Sequence, residues 1–122
     1  MGKFDLSQVV ELTPNDFNGT ELQIQGCALV LVYTPWCTYC QDMEEVWKKL
    51  ATCVSFGEIC AFNADAHEQF YTYLQTELGV EGYPTILSYN NGKYIEEYTG
   101  KRTSKELYDH AMKVCRSGRY RV

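Results

Sequence analysis

The sequence predicts an α/β domain, and three observations carry that prediction. Residues 28–34 form a continuous apolar run and residues 58–63 a second one, the pattern of strands buried on both faces. Between and after these runs, apolar residues recur at intervals of three and four, as on helices that bury one side. Asn91-Gly92 lies between two strand-like segments and is a strong hairpin signal. Helices interleaved with buried strands give the order β-α-β-α-β-α-β-β-α, with a sheet flanked by helices.

Each element has a local reason. Val9-Val10-Glu11-Leu12 reads as a short strand. Thr13-Pro14-Asn15-Asp16 reads as a helix start: Thr13 caps, Pro14 suits the first turn, and Asp16 favours the positive end of the helix dipole. Met43, Val46, Trp47, Leu50 and Val54 share one face of a helix from about Cys40 to Val54. Phe70, Leu74 and Leu78 mark another helix, stopped by Gly79. Thr85 to Tyr89 is a strand, and Lys93 to Thr99 returns beside it. Leu107, Tyr108, Ala111 and Val114 give the last helix.

The chain has 122 residues, the length of one compact domain, with a core expected over about 8–116 and a short basic tail. Hydrophobic residues at 45% and charged ones at 22% are globular values and exclude wholesale disorder. The longest apolar run, Cys27 to Tyr33, is far short of the roughly 20 residues a membrane-spanning helix needs, so no membrane insertion is expected. Net charge is −5, which speaks against a nucleic-acid partner. The charge is uneven. Residues 101–122 carry seven Lys/Arg against Glu106 and Asp109, while residues 1–100 carry four basic and fourteen acidic side chains. A solvated basic helix and tail is the simpler reading; a docking site for an acidic partner is the sharper one.

Targeting signals are scarce. Met1 to Ser7 has no apolar core of a signal peptide, Leu6 stands where N-myristoylation wants Ser or Thr, and the last four residues are not an ER-retention signal. A cytoplasmic location is the default on these grounds, with the secretory lumen as the other choice if terminal signals have been trimmed. Asn18-Gly19-Thr20 is a glycosylation sequon, which matters only in a secretory lumen.

Of six cysteines, only Cys37 and Cys40 have a chemically loaded spacing. Cys37-Thr38-Tyr39-Cys40 falls where a buried strand turns into a helix. The helix start carries partial positive charge and unpaired amide protons, which favour a thiolate on the first sulfur. The second sulfur can reach the first within one turn and resolve a disulfide held there. The same pair could be half of a zinc site, but no second such pair or His-x₃₋₅-His stands in the chain, so metal would need distant cysteines or another chain.

Tyr33-Thr34-Pro35-Trp36-Cys37-Thr38-Tyr39-Cys40 resembles the active-site segment of thioredoxin-fold proteins, and most of all that of protein disulfide isomerase domains. Val80-Glu81-Gly82-Tyr83-Pro84-Thr85 is similar to the same family's cis-proline segment, and Tyr98-Thr99-Gly100-Lys101-Arg102 to the run into its last helix. The resemblance implies a thioredoxin fold, a central mixed β-sheet flanked by helices. It implies that Cys37 attacks and Cys40 resolves, and that Pro84 is cis and faces them. Trp36, Thr38, Tyr39, Tyr83 and Pro84 would contact substrate, whose chain pairs with the backbone beside the proline like an added strand.

Departures from the family pattern carry further expectations. The acid expected six residues before the first cysteine is Leu31, and the Lys expected to pair with it is Leu87. Loss of both together is coherent, because one partner alone would strand a buried charge. The family's His before the second cysteine is Tyr39, which argues against a strongly oxidising poise. The helix-kinking Pro is Glu45, so a straighter helix is expected. Cys53 and Cys60 read as packing residues; Cys27 and Cys115 read as more exposed, with a regulatory or mixed disulfide open. His67 and His110 read as surface or helix-end residues.

The reading is a thiol–disulfide oxidoreductase acting on protein disulfides, with no cofactor, a recycling redox partner, and a monomeric state. Its rivals are a redox-inert peptide-binding module of the same fold and a glutaredoxin-like or cluster-binding protein.

Overall fold

The computed structural model describes residues 9–120, and side chains as far as residue 116. Met1 to Ser7, read above for targeting signals, lie outside the described residues, as do Arg121 and the side chain of Arg119 in the basic tail.

The first strand, β1, is Val10–Leu12. Thr13 then caps a helical turn as expected: its hydroxyl accepts from the Asn15 amide at 3.2 Å, and Asp16 accepts the Thr13 amide at 2.8 Å. The helix ends there, however. It is a single 3₁₀ turn over Pro14–Asp16, followed by a small antiparallel ladder of β2 (Phe17–Asn18) and β3 (Glu21–Leu22). Phe17-Asn18-Gly19-Thr20 is poor helix-forming sequence, and the core draws Phe17 and Leu22 in as extended, buried residues.

β4 (Cys27–Tyr33) is buried at all seven positions. It pairs in parallel with β5 (Glu58–Asn63) and antiparallel with β6 (Thr85–Asn90). β1 runs parallel to β5, and β7 (Lys93–Tyr98) antiparallel to β6, so the mixed sheet has the order β1-β5-β4-β6-β7. The turn between β6 and β7 is Asn91-Gly92, both with positive φ (51° and 86°), as a tight hairpin of this kind requires.

Three helices cover the sheet. α1 (Thr38–Cys53) and α3 (Ser104–Tyr120) pack on one face, where Leu29, Leu31, Tyr33, Ile59, Ala61 and Ile86 meet Met43, Trp47, Leu50, Leu107 and Ala111. α2 (Glu68–Leu78), ended by Gly79 in the left-handed conformation, packs with the β2–β3 ladder on the other face, against Val30, Val32, Phe62, Leu87 and Tyr89. α1 is unbroken across Glu45. Its largest side chain, Trp47, is fully buried and donates its indole N–H to the Cys60 carbonyl at 2.9 Å. Among the described residues no helix is long and apolar enough to cross a membrane.

The register corrects one expectation. Leu31 lies opposite Ile86 on one side and Ala61 on the other, whereas Leu87 lies opposite Val30. A shift of one residue along a strand moves a side chain to the other face. Leu31 and Leu87 therefore belong to opposite faces of the sheet and do not occupy the two halves of one buried pair.

α3 is fastened to the sheet at three levels. His110 Nε2 lies 2.7 Å from the Ser88 hydroxyl, and Asn90 donates its amide to the Val114 carbonyl at 2.8 Å. The third tie is a disulfide between Cys27 and Cys115, with their Cα atoms 5.1 Å apart. Cys27 is buried and Cys115 half-buried, so these are not the exposed pair expected from sequence. Cys60 is buried as expected, but Cys53 is exposed, because it sits in the last turn of α1, past the stripe of Met43, Trp47 and Leu50. His110 is half-buried between Ser88 and the Tyr98 ring rather than on the surface, and His67 stands at the N-cap position of α2 without a side-chain capping bond, its ring against Phe62.

Gly57 makes room for the disulfide. A Cβ there would stand 2.5 Å from Cys27 Sγ and 3.2 Å from Cys115 Sγ. The bond joins residues 88 apart in sequence, so it restricts the unfolded chain strongly. Replacing both cysteines by Ala will lower the unfolding free energy by about 2–5 kcal/mol in urea titrations. Gly57→Ala will also destabilise, and its cost will shrink in the doubly substituted protein, where both sulfur contacts are gone.

Candidate active site

The site forms where β4 hands the chain to α1. β4 ends at Tyr33, and Thr34-Pro35-Trp36 turns the backbone so that Cys37 is the N-cap of α1. The Cys37 amide donates to the Thr34 carbonyl at 3.2 Å, which closes the turn. The Gln41 side chain donates to the Pro35 carbonyl at 2.8 Å and holds it from outside.

At the cap, Cys37 Sγ accepts the backbone N–H of Cys40 at 3.2 Å. This is one of the orphan amides of a helix start, and it stabilises negative charge on that sulfur. Cys37 is 8% exposed and Cys40 is fully buried, so only the first sulfur meets the surface. Both are free thiols. Burial and the hydrogen bond to Cys37 push the Cys40 thiol up to about 12, against a smaller lowering by a backbone hydrogen bond with Thr34 and by the Arg102 charge. One four-residue segment thus carries one thiol at the helix cap and a second buried behind it.

The Tyr83–Pro84 peptide bond is cis, and the Tyr83 carbonyl lies 3.9 Å from Cys37 Sγ. The loop before it is held by side chains. The Tyr71 hydroxyl donates to the Gly82 carbonyl at 3.2 Å and accepts the Gly82 amide at 3.1 Å, and Thr85 Oγ1 donates to the same carbonyl at 3.0 Å. Arg102, on the run into α3, donates to the Pro84 carbonyl at 3.1 Å. Three segments distant in sequence therefore converge around the Cys37 sulfur.

Aromatic side chains rim the sulfur. Trp36 is 62% exposed and Tyr39 71%, high values for large apolar rings. Trp36 meets Tyr83 edge to face at 5.8 Å between centroids, and the Tyr83 ring packs tilted by 34° against Tyr71 at 5.2 Å. Thr38 is exposed beside them and Pro84 is buried behind. Of the residues expected at the site from sequence, Trp36, Cys37, Cys40, Tyr83 and Pro84 are brought together, while Thr38 and Tyr39 lie exposed in the first turn of α1. Arg102, Tyr71 and Gly82 join the site only through the fold: nothing local in the sequence shows that the Arg102 guanidinium reaches Pro84 or that Tyr71 holds Gly82. Among the described residues no three His, Cys, Asp or Glu side chains gather as metal ligands.

The thioredoxin family model matches residues 8–113. Among curated proteins, the chain is 39% identical over 110 residues to a mouse protein named protein disulfide-isomerase A6, and 35% identical over 112 residues to protein disulfide-isomerase like 2-2 of Arabidopsis thaliana. These alignments cover 88% and 91% of this chain but 24% of each relative, so the chain spans about a quarter of the curated relatives it matches. Among solved structures, the J-Trx1 fragment of ERdj5 superposes with a TM-score of 0.78 at 24% identity, over 95% of this chain and 54% of that one. The Trx4 domain of ERdj5 gives 0.72 at 24% identity, over 87% and 94%. These two likenesses establish the fold.

The asymmetry of the two sulfurs is open to measurement. Iodoacetamide at neutral pH will alkylate Cys37 and the exposed Cys53 while Cys40 stays unmodified, as read by peptide mass spectrometry of the reduced protein. Cys60 is pushed up to about 12 by burial, like Cys40. For an acid whose pKa is raised on folding, the unfolded chain ionises first, so stability falls as pH rises between the two values. Urea midpoints of the reduced protein will therefore decline from about pH 9 towards pH 12, and less steeply in Cys60→Ala.

Proposed function

Because the chain belongs to the thioredoxin family, we propose that it is a thiol–disulfide oxidoreductase of the disulfide-isomerase type, acting on protein disulfides through Cys37 and Cys40. One observation carries the proposal: the Cys37 sulfur sits on the α1 N-cap, accepts the Cys40 amide, and lies 3.9 Å from the carbonyl before a cis-proline. A nucleophile, its stabilising dipole and a backbone edge for substrate meet at one atom.

In the reductive direction the Cys37 thiolate attacks one sulfur of a substrate disulfide. A Cys37–substrate bond forms, the substrate S–S bond breaks, and the first substrate thiolate leaves. Cys40 then loses its proton and attacks Cys37 Sγ. The Cys37–Cys40 disulfide forms and the second substrate thiolate leaves with the electron pair. Run backwards, the same steps oxidise a dithiol. Trp36, Tyr39 and Tyr83 supply apolar area around the entering sulfur, Thr38 lies at the exposed helix start, and the backbone at Pro84 takes an extended substrate segment as an added strand. The Arg102 charge eases ionisation of Cys40.

The site is complete within one chain, which supports a monomer as the working unit. The recycling partner is a second thiol–disulfide couple of matched potential. The Cys27–Cys115 disulfide fits an oxidising compartment, which supports a secretory lumen over the cytoplasm as the proposed location.

Reduction of insulin disulfides by dithiothreitol will be accelerated by the protein and not by Cys37→Ser. Cys40→Ser will instead accumulate a mixed disulfide with substrate, visible as an adduct on a non-reducing gel. A redox-inert binding module would leave the insulin rate unchanged. A glutaredoxin-like enzyme would show turnover only with glutathione.

A further inference from the structure

The backbone that the proposed function offers to substrate is held from the far side of the sheet. Cys37 and Cys40 belong to the core under α1 and α3, whereas Tyr71, on α2, is buried in the core of the opposite face. Tyr83 packs against both cores. Its ring lies between Tyr71, at 5.2 Å and tilted by 34°, and Trp36, edge to face at 5.8 Å. A row of three rings thus runs from α2 to the rim of the Cys37 sulfur.

The Tyr71 hydroxyl adds a second hold. A phenol hydroxyl has one proton to donate and lone pairs with which to accept. Here both capacities are engaged by one residue: the hydroxyl donates to the Gly82 carbonyl at 3.2 Å and accepts the Gly82 amide at 3.1 Å. The carbonyl has a further donor in Thr85 Oγ1 at 3.0 Å. The amide, among the described residues, is met by Tyr71.

Gly82 is where this loop would otherwise give. It is exposed, its φ is +77°, and nothing stands within 4 Å of the place a Cβ would take. Such a glycine has wide backbone freedom. A rotation there would swing Tyr83 and Pro84 away from Cys37, whose sulfur lies 3.9 Å from the Tyr83 carbonyl. Holding both polar groups of Gly82 removes that freedom.

The consequence depends on the substrate. A polypeptide disulfide must bring its sulfur to Cys37 and pair its chain with the backbone at Tyr83 and Pro84 in one geometry. A small disulfide without a peptide chain needs the first alone. The bond from the Cys40 amide that favours the Cys37 thiolate lies within the start of α1 and does not involve Tyr71.

We infer that Tyr71 is a positioning residue for polypeptide substrates: from α2 it fixes Gly82 and Tyr83 against Cys37, and so favours disulfides carried on an extended chain over small ones. The inference rests on the thiol–disulfide reading of Cys37 and Cys40. The ring of Tyr71 supports Tyr83 and its hydroxyl holds Gly82, so Tyr71→Phe releases the loop while keeping the ring contact.

The test compares two substrates in a Cys53→Ser background, which removes an exposed free thiol. Insulin reduction by dithiothreitol gives kcat and KM. Loss of the Cys37 and Cys40 thiols to hydroxyethyl disulfide, read by alkylation and mass spectrometry, gives a rate without a peptide chain. Tyr71→Phe will raise KM for insulin about three- to ten-fold, the scale of one or two neutral hydrogen bonds, and will leave kcat and the hydroxyethyl disulfide rate within two-fold. Thr85→Val, which leaves the amide held, will raise KM less. Deuterium exchange of the Gly82 amide, followed by NMR, will be slow in the wild type and faster in Tyr71→Phe. A KM within two-fold of wild type in Tyr71→Phe overturns the inference and leaves the proposed function standing, and so does equal slowing with both substrates. A freely exchanging Gly82 amide in the wild type overturns it as well, whether or not Tyr71→Phe folds. Failure of the wild type to accelerate insulin reduction overturns the proposed function itself, and this inference with it.

Discussion

Burial of β4 is the constraint on which the rest of the structure depends. Its seven residues are covered on both faces and paired along both edges. Full burial of each Leu or Val contributes about 1.5–3 kcal/mol relative to exposure, so the strand cannot slide by one residue without losing both cores at once. β4 is thus an anchored rail that ends at Tyr33. α1 is clamped to the same face by Met43, Trp47 and Leu50. With both elements immobile, the short turn between them sets the Cys37 sulfur at the helix start to within a narrow range.

That placement explains how two identical side chains come to differ. Cys37 takes the cap position, where an amide proton points at its sulfur. Cys40, one turn on, points into the core and has no access to water. Burial penalises the charged form of the Cys40 thiol, and the Thr34 backbone and the Arg102 charge offset only part of that. The division between attacker and resolver is therefore a consequence of helix geometry and depth, not of residue type. It also explains why the loop carrying Pro84 is so firmly tied by Tyr71, Thr85 and Arg102. A thiol with one open side is selective only if that side has a fixed wall.

The Cys27–Cys115 disulfide works at the opposite end of β4. It joins the start of the central strand to α3, the helix that closes the same face as α1. Ser88 with His110, and Asn90 with Val114, lie along the same seam. α3 is in this way held to β4 and β6 through its middle turns, from His110 to Cys115, and the run before it, which includes Arg102, meets Pro84.

Most of the elements were legible in the sequence, because each has a local cause. Continuous apolar runs, three-and-four spacing, Gly79 and Asn91-Gly92 place five strands and three helices without reference to anything distant. The Cys37-x-x-Cys40 spacing at a strand-to-helix junction likewise contains its own chemistry, since a helix start exists wherever a helix begins. The segment after Asp16 was not legible: its capping signals are genuine, but the burial of Phe17 and Leu22 belongs to the assembled core and overrides them. What only the tertiary structure decided is what lies across from what. Pairing depends on strand order and register, which are settled by long-range contacts and leave no trace in neighbouring residues. Hence Cys27 and Cys115 gave no sign of being partners, and Leu31 and Leu87 gave no sign of facing opposite ways.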